Sequence, residues 1–256
     1  MIKMKKYLSA ALAAVMCGTM LTVRRDALAL DIANPVDSDR YGNNMGDSFI
    51  DVIGTRNGYT TVDGVTYESG IELWVARYNF KKEQSWIWAT YEVDPSETEF
   101  KGTLSVLNKS YNTDDYNTTL EISVDNEVVY SYTMTPGFAP QSIDIPLDGA
   151  SEIKFYVYDN EAFTGGTSFC IGTGEGYMLG DVDDNGTVNA VDASMVLTEY
   201  AREATGQELT FSNIQKKAAD VNVDSNINAV DASRILSYYA YTATGGTLIF
   251  EDYLDR

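Results

Sequence analysis

Histidine is absent from the 256-residue chain. Its absence excludes Ser-His-Asp and Cys-His catalysis, histidine-ligated zinc, and haem held by a proximal histidine. Cationic residues are scarce, with 18 Lys+Arg against 38 Asp+Glu and a net charge of −20. Such a chain carries no basic footprint for a nucleic-acid backbone. Cysteine is limited to Cys17 and Cys170. After residue 23 no stretch is apolar enough to span a membrane. Aromatic residues, by contrast, make up 12% of the chain and include 18 Tyr, too many for a disordered acidic tail.

The first residues are expected to be an export signal. Lys3, Lys5 and Lys6 precede an apolar run from Tyr7 to Val23, and Ala27-Leu-Ala29 offers small residues at a cleavage site. Met16 is too bulky for a lipidation box at Cys17. Cleavage after Ala29 removes five cations and one Asp, so the exported chain is more acidic still. It leaves Cys170 alone, which excludes an internal disulfide. The expectation is a secreted protein, free of the membrane after cleavage, stabilised by a core or by a divalent cation.

The C-terminal third contains a repeat. Asp181-Val-Asp-Asp-Asn-Gly-Thr-Val-Asn-Ala-Val-Asp192 recurs as Asp220-Val-Asn-Val-Asp-Ser-Asn-Ile-Asn-Ala-Val-Asp231. Each copy has the form of a twelve-residue calcium loop. Oxygen side chains stand at positions one, three and five: Asp181, Asp183 and Asn185, then Asp220, Asn222 and Asp224. Position seven offers a carbonyl from Thr187 or Asn226, position nine (Asn189 or Asn228) a contact through water, and position twelve closes with Asp192 or Asp231. A hard cation needs six to eight oxygens, so the expected cofactor is Ca2+, two ions in all. Val188 and Ile227 at position eight would tie the loops together. Gly186 makes the sharp turn at position six. Ser225 replaces it in the second loop at a cost of about 1 kcal/mol, making that site the weaker.

The segments after the loops also repeat. Ala193, Val196, Leu197, Tyr200, Ala201 and Ala204 form one helical stripe; Ala232, Ile235, Leu236, Tyr239, Ala240 and Ala243 form its copy. The two stripes are expected to pack together, with Ser212 capping a short helix through Lys217 between them. This region, residues 175–256, resembles a dockerin of type I, a domain of two F-hand calcium repeats. The resemblance implies a calcium-dependent plug that binds a cohesin module of a scaffoldin in a cellulosome, an assembly for plant polysaccharide degradation. It also implies contact residues on the free helix face: Val191, Ser194, Met195, Thr198 and Arg202, with Val230, Ser233, Arg234, Ser237 and Tyr241. Met195 is matched by Arg234 and Glu199 by Tyr238, so the two faces differ, and one preferred binding orientation is expected.

Residues 30–174 read as an all-β sandwich of the jelly-roll type. Ile71/Leu73/Val75 alternate with Glu72/Trp74/Ala76; Leu120, Ile122 and Val124 lead through Asp125-Asn126 to Val128, Tyr130 and Tyr132. Ile143, Ile145 and Leu147, and then Ile153, Phe155 and Val157, repeat the period of two. Thr164-Gly-Gly-Thr167 and Gly172–Gly176 read as loop and linker. Asp63-Gly-Val-Thr-Tyr-Glu-Ser-Gly-Ile71, Ile87-Trp-Ala-Thr-Tyr-Glu-Val-Asp94 and the run Leu120–Val157 resemble the NPCBM family of carbohydrate-binding modules, although this chain has no Trp after Trp88. The resemblance implies sugar binding to plant cell-wall polysaccharide. Trp74, Trp86 and Trp88 are the candidate stacking residues, with Tyr78, Tyr111 and Tyr116 behind them. Each Trp is equally a candidate for the core. The primary expectation is a non-catalytic carrier. Two alternatives are a small glycoside hydrolase using carboxylates such as Glu68, Glu72, Glu92 and Asp94, and an adaptor scaffoldin whose sandwich is itself cohesin-like.

Overall fold

The structure is a computed structural model that describes residues 37–39, 49–52, 59–77, 86–109, 112, 115–160 and 165–255. The export signal, Tyr78 and Tyr111 lie outside these residues. Thirteen strands and four helices are described: β1 (Asp37–Asp39), β2 (Phe49–Val52), β3 (Tyr59–Thr60), β4 (Val65–Tyr67), β5 (Ser69–Arg77), β6 (Trp86–Glu92), β7 (Glu99–Val106), β8 (Thr118–Val124), β9 (Glu127–Met134), β10 (Gln141–Pro146), β11 (Glu152–Asp159), β12 (Gly165–Thr173) and β13 (Tyr177–Met178), then α1 (Ala190–Ala204), α2 (Asn213–Ala219), α3 (Ala229–Ala243) and α4 (Phe250–Leu254).

Two five-stranded antiparallel sheets face each other. Their orders are β1-β6-β11-β8-β9 and β10-β7-β12-β5-β2. From β5 to β12 the strands interleave between the sheets as in a jelly roll. Period-two alternation sends Ile87, Ala89 and Tyr91 inward from β6 and Ile153, Phe155 and Val157 inward from β11, all buried. Phe155 sits at the centre of this core. Its ring meets Tyr91 edge-on at 5.9 Å and Phe100 at 5.4 Å, the geometry that aromatic quadrupoles favour. The β8–β9 hairpin turns on Asp125 and Asn126, both at positive φ (46° and 67°), as the right-handed twist of the strands requires.

A third, small sheet, β13-β4-β3, covers the outer side of the second large sheet. Tyr67, Leu107 and Cys170 form a separate buried cluster beneath it. This cover explains why Glu72, on the outward side of β5, is nevertheless buried. Its carboxylate accepts from Ser168 Oγ at 3.1 Å and lies 3.6 Å from Lys109 Nζ.

The glycine-rich stretches depart from expectation. Gly165–Thr173 is not a loop. It is β12, paired with β5 on one side and β7 on the other. Glycine is needed here because rings lie flat on the backbone. A Cβ at Gly166 would stand 2.6 Å from the Trp74 ring, and one at Gly172 would stand 2.3 Å from the Tyr67 ring. The expected linker is likewise short and ordered, since Tyr177 and Met178 pair with Thr66 and Val65 of β4. Lys217 of α2 forms an ion pair with Glu68, and Asn108 donates to Asp252 of α4 at 3.3 Å. Gly172→Ala should therefore destabilise the sandwich by about 1–3 kcal/mol through overpacking against Tyr67, readable as a lower midpoint in thermal unfolding.

Candidate functional site

The helical unit is built around its two loops. In the first, Asp181 accepts from the backbone N–H groups of Asn185 (3.1 Å) and Gly186 (2.7 Å). Asp192 accepts from the N–H groups of Val182 (2.8 Å) and Asp183 (3.2 Å) with one oxygen, and from that of Asn189 (2.8 Å) with the other. Asn189 Oδ1 accepts in return from Val191 N–H at 2.7 Å. Asn189 and Asp192 thus form a capping box at the start of α1. One carboxylate, Asp192, ties the first turn of the loop to the first turn of the helix.

The second loop repeats this plan. Asp220 accepts from Asp224 (3.1 Å) and Ser225 (2.8 Å), and Asp231 closes a capping box with Asn228 at the start of α3. Backbone conformation matches as well. Position four is left-handed in both loops (Asp184 and Val223, φ 56° each), as is position six (Gly186 at 82° and Ser225 at 67°). Ser225 bears the expected strain. Val223 adds a second strained residue, because a β-branched side chain is disfavoured there. Asn189 and Asn228, expected to act through water, are the N-caps. Their Nδ2 groups also donate to the carbonyls of Thr187 (3.1 Å) and Asn226 (3.2 Å).

These donors fit a hard cation. Carboxylate oxygens of Asp181, Asp183 and Asp192 converge within 4.8 Å of one another. Asp231 Oδ1 is buried with no hydrogen-bond partner of normal geometry. An unpartnered buried carboxylate oxygen is costly unless a cation meets it. Burial raises the pKa of both Asp181 and Asp231, and a neighbouring loop carboxylate adds to the rise in each. Every side chain assigned from the sequence lies in one of the two loops. Asn185, Asp183 and Thr187 are exposed in the first, as are Asp224 and Asn226 in the second, while Asn222 and Asp220 are half-buried.

The helix stripes are only partly buried, which corrects the expected packing. The seam between α1 and α3 consists of Ala193 and Val196 against Ala232 and Ile235. Leu197 and Leu236 are each 42% exposed, Tyr200 and Tyr239 are similarly open, and Ala201, Ala204, Ala240 and Ala243 face solvent. Small residues bring the helices close along a narrow line, so side chains one step around each helix stay outside it. The remaining core is supplied by Val182, Val188, Ala219, Val221 and Phe250.

Among the expected contact residues, Val191 (54%) and Val230 (50%) are exposed, as are Ser194, Thr198, Ser233, Arg234 and Ser237. Met195 is half-buried and packs on the core. Arg202 is half-buried and donates to Glu208 O at 3.4 Å. Tyr241 is committed to the C-terminal segment: it stacks on Tyr253 at 5.0 Å and accepts from the N–H groups of Thr247 and Leu248. Glu199 and Tyr238 do not belong to a free face. Each pins the chain that follows its helix. Glu199 accepts from Thr210 (2.7 Å) and Phe211 (2.9 Å), and Tyr238 donates to Leu248 O (3.0 Å).

Residues 179–238 match the model of the dockerin type I domain. The matched segment spans both loops, α1, α2 and most of α3. No curated protein matches the chain. Solved structures resembling it include a CBM51 module of a GH95 protein from Clostridium perfringens bound to methyl-galactose, at 15% identity and TM-score 0.40, covering 55% of this chain and 92% of that one. A second is the tandem CBM51 pair of a family 98 glycoside hydrolase from Streptococcus pneumoniae, at 14% identity and TM-score 0.42, covering 61% and 50%. A third is a CBM51 and INT fragment of Clostridium perfringens ZmpB with GlcNAc, at 13% identity and TM-score 0.37, covering 82% and 44%. The chain spans half or less of the latter two.

On the sandwich, the three Trp candidates separate. Trp74 lies on β5 against Gly166, on the second sheet. Trp86 and Trp88 project from the outer side of β6, both half-buried. Tyr116 is buried and meets Phe169 edge-on at 5.4 Å, so it belongs to the core.

The C-terminal helix α4 contributes Phe250 to the core of the helical unit and carries Glu251 beside it. Neither carboxylate oxygen of Glu251 has a hydrogen-bond partner of normal geometry. Burial, with Asp252 beside it, pushes its pKa up to about 7, despite partial offset from the amides of Glu251 and Leu179. A carboxyl raised in the folded state stabilises most below its unfolded value of 4.5 and loses that contribution as pH rises toward about 7. Glu251→Gln should remove this dependence. In calcium-loaded protein at pH 8 it should stabilise the helical unit by about 1–3 kcal/mol, with little change at pH 4.5, as followed by thermal loss of helical circular dichroism.

Proposed function

We propose that this protein is an exported, non-catalytic component of a polysaccharide-degrading assembly. Its dockerin segment holds two calcium ions and binds a scaffoldin cohesin, and its β-sandwich (residues 30–174) engages carbohydrate. The observation that carries this reading is the repeated loop-helix unit, with positive φ at positions four and six and a capping box in both copies, and with the carboxylates of the first loop converging within 4.8 Å. Asp181, Asp183, Asn185 and Asp192, with the Thr187 carbonyl, would hold one ion. Asp220, Asn222, Asp224 and Asp231, with the Asn226 carbonyl, would hold the other. Bound calcium supplies positive charge that neutralises clustered carboxylates and locks each loop onto its helix.

The partner surface is the solvent side of α1 and α3: Val191, Ser194, Leu197, Thr198 and Arg202, with Val230, Ser233, Arg234, Leu236 and Ser237. Exposed aliphatic side chains ringed by hydroxyls suit a specific interface, with an apolar centre and a polar rim. Tyr241 is held by the C-terminal segment, which reduces what α3 offers. We therefore assign the dominant contact to α1 and a single preferred orientation. The hydrolase reading loses support from Glu68 and Glu72, each of which is paired with a lysine.

Chelation should melt the helical unit, abolish capture on cohesin-coated resin, and leave the β-sheet signal intact. Helical circular dichroism that is unchanged after chelation would sink the calcium assignment. Asp192→Ala should weaken calcium binding and cost about 1–3 kcal/mol of stability, because it removes both the loop anchor and the helix cap. Leu197→Asp should lower cohesin affinity at least tenfold without changing the thermal midpoint, and Leu236→Asp should lower it less. Equal losses in the two variants would count against the single orientation.

A further inference from the structure

The outer face of the sheet β1-β6-β11-β8-β9 carries aromatic rings that the core does not use. On β6 and β11, Trp88 stands opposite Tyr156 and Trp86 opposite Tyr158. All four are half-buried rather than covered. Ring centroids of Trp86 and Tyr156 are 6.5 Å apart, and those of Tyr156 and Tyr158 are 5.2 Å apart. The three rings form a continuous run, while Trp88 is capped by Lys154 Nζ at 4.4 Å from its centroid. A polar row on β8 borders the run. Glu121 accepts from the Tyr158 hydroxyl at 3.2 Å, and Thr119 Oγ1 accepts from Asn160 Nδ2 at 2.8 Å.

We infer that Trp86, Tyr156 and Tyr158, with Glu121 at their rim, form a platform for an extended, neutral chain of equatorially linked pyranose units, a reading that rests on the sandwich being a carbohydrate-binding module. Equatorial substitution leaves flat C–H faces that stack on aromatic rings, whereas axial hydroxyls would press polar groups into them. Rings on two adjacent strands line a flat sheet face, so the middle of a chain can lie across them. Glu121 accepts hydrogen bonds from sugar hydroxyls. The net charge of −20 repels a polyuronate, and among the described residues the lysine at the platform, Lys154, is engaged over Trp88.

The test is titration calorimetry on the full, calcium-loaded chain with cellobiose, cellohexaose, xylohexaose and polygalacturonate. A neutral hexaose should bind at least tenfold tighter than the disaccharide. Trp86→Ala and Tyr156→Ala should each lose at least tenfold, while Trp74→Phe on the other sheet changes nothing. Unchanged β-sheet circular dichroism and an unchanged thermal midpoint of the sandwich in each variant establish that it has folded. Wild-type binding that survives both ring variants would overturn the platform and leave the carbohydrate reading standing. Preference for polygalacturonate would overturn the neutral-chain assignment. No binding of any sugar by a chain that still captures cohesin would overturn the carbohydrate reading and the platform with it. A dimer in sedimentation that Trp86→Ala dissolves would assign the face to a second copy instead.

Discussion

Each helix of the C-terminal unit begins where a buried carboxylate meets a ring of backbone amides. Asp192 takes three N–H groups, two from the loop and one from the N-cap. Asp231 repeats the position but leaves one oxygen without a partner. Several fixed dipoles around one buried charge favour the ionised form, and several buried charges around one loop oppose it. A cation in the loop would relieve the repulsion among its carboxylates. The same few atoms therefore join loop geometry to helix initiation, and a metal held there would be coupled to both. The outer faces of α1 and α3 are left uncommitted, because the core of the unit does not use Leu197, Leu236, Val191 or Val230.

The repeats are alike in backbone and unlike in what they hold. At one equivalent position Glu199 captures the backbone amides of 210–211, while Tyr238 captures the carbonyl of Leu248. The first interaction fastens the inter-repeat segment; the second fastens the C-terminal tail and, through Tyr241 and Tyr253, folds α4 against α3. Internal symmetry is thus broken by the segments each helix must retain.

The sandwich and the helical unit are joined without slack. β13 pairs with β4, Lys217 reaches Glu68, and Asn108 reaches Asp252. The helical unit abuts a β-sheet edge through a few polar contacts, so the two units are oriented by packing and not by linker length. The small third sheet that makes this junction also buries Glu72 and Cys170. Burial, with the Glu72 charge among the lesser causes, pushes the Cys170 thiol up to about 12, which keeps the only cysteine of the described residues unreactive.

Much of this was legible in the chain itself. Twelve-residue oxygen spacing, a repeat of both loops, and period-two alternation in β6, β8 and β11 depend on local geometry, which residue order alone determines. Ser225 at positive φ followed from its place in the loop. The misreadings share one physical cause. Glycine at 166 and 172 reads locally as a chain breaker, yet here it admits the rings of Trp74 and Tyr67, which arrive from distant strands. Leu197 and Leu236 fit an apolar stripe by period, but how wide a seam two helices bury depends on the residues that let them approach. Which Trp lies on glycine, which lies under Lys154, and which joins Tyr156 and Tyr158 on an open sheet was decided by register between strands far apart in sequence, because a pairing shift of one residue exchanges every side chain between the two faces.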